Sequence, residues 1–204
     1  MRPSTILAVA ASLIFLARLV PQPLRTLRTG RVEGVSALAA MNSCVADAAW
    51  LTYGLWAGLP AIWLVSIPAV ILSGGTSLVL RRHVTRRDLL IAAGWAAVVA
   101  TVGVIGLSGL TLVLAGTVVV TCGPTVWSAY ASKSPVGLTA WTWWLAVADA
   151  STWGTYGVLI GDTALELYGV VMGATAVALL WRLRATRAVR LAATADALSG
   201  AAVA

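Results

Sequence analysis

The chain has 204 residues, 60% of them hydrophobic and 10% charged, with a formal net charge of +7 and a mean hydropathy of +0.92. A soluble domain of this size keeps a large exposed shell and could not hide that much apolar surface, so lipid is the expected solvent. The basic residues sit in short clusters between apolar segments, where membrane topology puts them, and this excludes a nucleic-acid footprint.

Seven apolar runs are long enough to cross a bilayer, about 20 residues each. The first, 5–24, carries Arg18 and ends in Pro21-Gln22. The second, 37–56, holds Asn42, Cys44, Asp47, Trp50 and Tyr53; the third, 60–80, holds Ser66 and an internal Pro68. A basic stretch from Arg81 to Arg87, with the only histidine (His83), leads to the fourth, 88–107. The fifth, 110–130, contains Cys122 and Pro124; the sixth, 139–159, contains Asp149, Trp153 and Tyr156; the seventh is 164–182. Residues 183–204 form an Ala-rich tail, expected to be disordered.

A repeat runs through these spans. Trp50-Leu51-Thr52-Tyr53-Gly54-x-x-x-Gly58 returns without a gap as Trp153-Gly154-Thr155-Tyr156-Gly157-x-x-x-Gly161, and the same offset joins Pro21 to Pro124 and Gly34 to Gly137. A fixed period of this length marks a duplicated unit. The first run therefore has a counterpart deep in the chain and is read as a true span, not a cleaved leader. Basic residues follow spans 1, 3, 5 and 7 (Arg25, Arg28 and Arg31; Arg81 to Arg87; Lys133; Arg182 to Arg190), while the opposite loops have none. The positive-inside rule places the C-terminus in the cytoplasm and the N-terminus outside. A three-span unit ends opposite its start, and span 4 restores the direction for the second copy. The expected fold is all-α integral membrane: two parallel three-helix bundles, 5–80 and 110–182, joined by a linker helix at 88–107.

Several residues could do work inside such a bundle. Pro21 and Pro124 occupy matching sites, and a proline frees a backbone carbonyl and kinks its helix, so paired hinges are expected, with Gln22 beside the first. Trp50 and Trp153 lie about two turns inside the outer end and offer apolar platforms for a solute, whereas the remaining tryptophans suit interface anchoring or packing. Asp47 and Asp149 lie three and four residues before those tryptophans, near the bilayer midplane. A carboxylate there costs about 2.5–3.5 kcal/mol on insertion scales and needs a water-filled cavity, a proton or a cation. Arg18 is the expected ion-pair partner of Asp47. Asp149 has no such neighbour within its unit, because the offset turns Arg18 into Thr121, and it is the better candidate for solute contact or titration. Cys44 and Cys122 read as inert buried thiols and His83 as a solvated loop residue. Metal-ligand spacing is absent, as is any cluster of nucleophile, base and orienting group, so neither cofactor nor enzymatic chemistry is expected.

Pro21-Gln22, the basic loop to Gly34-Val35-Ser36, and the Trp-x-x-Tyr-Gly element resemble the PQ-loop motif, and the 3+1+3 layout resembles the SWEET sugar transporters and their half-sized SemiSWEET relatives. The resemblance covers residues 5 to about 182. It implies facilitated movement of a small solute by alternating access, with a pocket between the bundles that includes Trp50 and Trp153. This chain departs from the pattern in two places. The second motif reads Gly123-Pro124-Thr125, without the glutamine. The third helix of each bundle, where the family carries asparagine, reads Val65-Ser66-Ile67 and Leu167-Tyr168-Gly169. Ser66 and the sole asparagine, Asn42, join Trp50, Trp153, Asp47 and Asp149 as candidate pocket residues. Three functions follow: a carrier of a sugar or similar solute, a proton-coupled carrier of an amino acid or cationic amine, and a seven-helix receptor without transport. The implied partners are a small solute, the bilayer and a further copy of the chain in a homo-oligomer.

Overall fold

The computed structural model describes residues 3–20, 24, 27–28, 36–131, 140–187 and 191, with the backbone alone at 124 and 128. Among them are seven α-helices: α1 Pro3–Leu19, α2 Ala37–Trp56, α3 Pro60–Val79, α4 Arg86–Ile105, α5 Leu107–Ala131, α6 Ala140–Ile160 and α7 Thr163–Ala185. A short 3-10 turn, Leu80–His83, links α3 to α4. The last helix runs past the expected end of its span, to Ala185. Pro21 and Gln22 lie outside the described residues, and the backbone of α5 stays helical through Pro124.

Local chemistry explains where the helices start. The Ser36 hydroxyl accepts the Ala39 N–H at 3.3 Å. Pro60 opens α3 at a position whose N–H would have no helical partner. Thr85 and Asp88 form a reciprocal capping box for α4, and the Asp162 carboxylate accepts the Leu165 N–H at 3.0 Å to cap α7.

The duplicated motif encodes a helical hairpin. Gly58 and Gly161 end α2 and α6 at φ +65° and +70°, a left-handed turn that a side chain would strain. Each turn is closed by the same bond: Leu59 N–H to the Gly54 carbonyl, and Asp162 N–H to the Gly157 carbonyl, both at 2.9 Å. Gly54 and Gly157 let the next helix pass close by. A Cβ on Gly54 would meet Trp63 N at 2.8 Å, and one on Gly157 would meet Leu165 Cβ at 2.8 Å and Glu166 N at 2.9 Å. The shared sequence thus builds the same turn twice, from α2 into α3 and from α6 into α7.

Packing repeats in the same way. The third helix of each set lies between the other two, so α3 touches α1 and α2, and α7 touches α5 and α6. Across the middle, α1 packs on α6 and α2 on α5, while α4 rests against α2 and α5. The outward faces carry large apolar side chains, including Leu13, Ile71, Leu112, Trp127, Val170 and Trp181, a surface that water would not tolerate over this extent. Among the described residues four helical stretches, those from Pro60, Arg86, Leu107 and Thr163, are long and apolar enough to cross a bilayer unaided. Helices α2 and α6, which hold the two aspartates, are not among these four.

Candidate solute-binding cavity

A cavity of about 230 Å³ opens between the two helix sets. Its walls follow the repeat. On α1 and α5, Phe15 faces in with Val118, Arg18 with Thr121, and Leu19 with Cys122; on α2 and α6 the pair is Trp50 with Trp153. From α3 and α7, Ile62 matches Leu165 and Val65 matches Tyr168. Every one of these pairs is separated by the same 103 positions that join the two copies of the motif.

Both tryptophans are braced. The Trp50 ring meets Tyr53 edge-on at 5.9 Å between centroids and Tyr168 at 5.5 Å; Trp153 meets Tyr156 at 5.9 Å. Trp153 is only 4% exposed, so its contribution to the cavity is an edge, whereas Trp50 presents more of its surface. Ser66 lines the wall, and its hydroxyl donates to the Ile62 carbonyl at 2.9 Å. Asn42, by contrast, is buried at 3% exposure and is no part of the lining, because five residues from Asp47 turn the helix by about 140°, away from the face that carries Ser43, Asp47 and Trp50.

The charges are arranged differently from the sequence expectation. The Arg18 guanidinium pairs with Asp149 rather than with Asp47: Nη2 lies 3.2 Å from Asp149 Oδ2. The same oxygen accepts a 2.5 Å hydrogen bond from the Tyr168 hydroxyl, and Arg18 Nη2 reaches that hydroxyl at 3.4 Å. Phe15 lies beneath the guanidinium at 5.7 Å. The physical reason is the packing of α1 on α6, which carries Arg18 out of its own unit and onto the other. Asp149 is therefore fully buried, pairs with a cation and stays out of the cavity wall.

Asp47 faces the cavity instead. Under the repeat it corresponds to Ala150, and Asp149 to Ala46, so the two acids occupy adjacent positions. One residue turns a helix by about 100°, enough to send one carboxylate into the opening and the other into the protein. Asp47 Oδ2 has no hydrogen-bond partner among the described residues. Ser73, the hydroxyl that acts on this acid, donates to the Ala69 carbonyl at 2.8 Å.

Sequence reasoning assigns Tyr168 no role. A signal was present nonetheless, since a hydroxyl early in a membrane span needs a partner and Asp149 stands one helix away. A second missed link is the Tyr53 hydroxyl, which donates to Asp162 Oδ2 at 2.8 Å and ties the end of α2 to the α6–α7 turn. Among the described residues no group of three or more His, Cys, Asp or Glu side chains could hold a metal ion.

No family model matches the chain, and no curated protein matches it by sequence. By structure it is similar to a eukaryotic SWEET transporter, with a TM-score of 0.68 and 13% identity. The likeness spans 91% of this chain and 97% of that one, so the chain has the helical membrane fold of a SWEET transporter.

Proposed function

We propose that the protein is a membrane carrier that moves a small polar solute of the sugar class by alternating access. Two parallel three-helix bundles, α1–α3 and α5–α7, would rock about the cavity, with α4 as the linker and the C-terminus in the cytoplasm. The observation that carries this reading is the cavity itself: one chamber, walled by repeat-equivalent residues from both halves. Its volume falls below the roughly 300–1,000 Å³ of drug-sized ligand sites and suits a solute of a few carbons. Trp50 and Trp153 supply apolar platforms, and Ser43, Ser66, Thr117 and Thr121 supply hydroxyls. The bond from Tyr53 to Asp162 ties α2 to the α6–α7 turn and would have to break if the bundles part there. Paired prolines at 21 and 124 would serve as hinges.

Uptake of radiolabelled sugars, amino sugars included, into proteoliposomes tests the proposal. Trp50→Phe and Trp153→Phe should each slow flux roughly tenfold, a loss of about 1.4 kcal/mol of binding, while Trp127→Phe on the lipid-facing surface should not. Equal flux in all three variants, or none above empty liposomes, would refute it.

A further inference from the structure

The chamber's charges do not cancel. Arg18 is the cation that the described residues bring to it, and Asp149 holds that cation together with Tyr168. Asp47, on the opposite unit from Asp149, lines the same space and makes no ion pair among the described residues, and its Oδ2, like Asp149 Oδ1, is buried without a hydrogen-bond partner. One guanidinium thus stands against two carboxyl groups, so that with both ionised the wall carries a surplus negative charge. Trp50 lies one turn further along α2 and lines the same wall, with Ser43 one turn back. A carboxylate, an aromatic ring and a hydroxyl on consecutive turns of one helix form a receptor for an ammonium group.

We infer that the transported solute bears a protonated amine, which docks on Asp47 and Trp50. This rests on the carrier reading and narrows its cargo. With a neutral sugar the Asp47 carboxyl would have to take up a proton to avoid an uncompensated charge in a low-dielectric chamber, whereas an amine neutralises it and makes a charge-assisted bond. Arg18 is engaged through Nη2 by Asp149 and Tyr168 and makes no ion pair with Asp47.

The test compares matched neutral and cationic probes on the purified full chain. Thermal stabilisation is titrated with glucosamine against glucose, and with ethanolamine against ethylene glycol, in wild type and Asp47→Asn. The amine of each pair should bind at least roughly tenfold tighter, and that preference should vanish in Asp47→Asn. Equal binding of amine and alcohol, or an amine preference that survives in Asp47→Asn, overturns the inference and leaves the carrier standing. A protein stabilised by none of the four probes would overturn both. Asn is isosteric with Asp, and its unliganded unfolding temperature shows whether the fold is kept; should it fall sharply, Trp50→Phe gives the second reading, with weakened amine binding expected and unchanged binding contrary.

Discussion

In the α2–α3 hairpin the aspartate lines the cavity and makes no ion pair among the described residues; in the α6–α7 hairpin the aspartate sits one repeat position earlier and is gripped inside the protein by Arg18 and Tyr168. The backbone around them is the same, down to the two left-handed glycines and the turn bonds of 2.9 Å. Duplication has thus preserved the frame and separated the charges. The second copy holds the counter-ion of the first copy's arginine, and the first copy keeps the free acid. The lesson is that backbone symmetry constrains where side chains can point, while a shift of one residue decides what they meet.

The largest effect should come from breaking the held pair. Asp149→Leu strands the guanidinium and should cost about 3–5 kcal/mol, read as a lower unfolding temperature in detergent. Adding Arg18→Met should recover most of that loss, because an apolar pair of similar size replaces a buried ion pair at little cost. The matching change in the first copy, Asp47→Leu, should cost far less, since no ion-pair partner is stranded; equal losses at the two sites would erase the distinction between them.

Steric tests sharpen the shared frame. Gly54→Ala and Gly157→Ala each press a methyl group onto backbone at 2.8–2.9 Å and should cost about 1–3 kcal/mol, by similar amounts in the two copies. Gly94→Ala meets nothing within 4 Å in mid-helix and should be neutral or slightly stabilising. Tyr168→Phe removes the hydroxyl from Asp149 and should cost about 1.5–3 kcal/mol, as hydrogen bonds to charged groups do. Its repeat equivalent, Val65, has no such bond to lose.

A smaller loss belongs to the bond between the end of α2 and the α6–α7 turn. Tyr53→Phe deletes the bond to Asp162 and should reduce stability by about 0.5–1.5 kcal/mol. Asp162→Ala should cost more, about 1–2 kcal/mol, because the same carboxylate also caps α7. If Tyr53→Phe instead matched Asp149→Leu in severity, the tie from α2 to the α6–α7 turn and not the Arg18–Asp149 pair would dominate the cohesion between the halves.

Much of this molecule can be read without coordinates. Hydropathy demands a lipid environment because so much apolar surface has nowhere else to go, and the recurring Trp-x-x-Tyr-Gly-x-x-x-Gly element announces a duplicated hairpin because its glycines answer to local backbone geometry. Such signals act over a few residues; of the side chains that line the cavity, Trp50 and Trp153 belong to that repeated element, whereas Ser66 was expected from the family resemblance. The partner of Arg18 was not legible in this way. Spacing along a helix reveals which side chains share a face, but not which foreign helix that face meets. Only the packing of α1 on α6 brings Arg18 to Asp149 and leaves Asp47 without that cation at the cavity wall. Charge pairing across the midline is a property of the assembled bundle, because electrostatic energy depends on distance in space and is indifferent to distance in sequence.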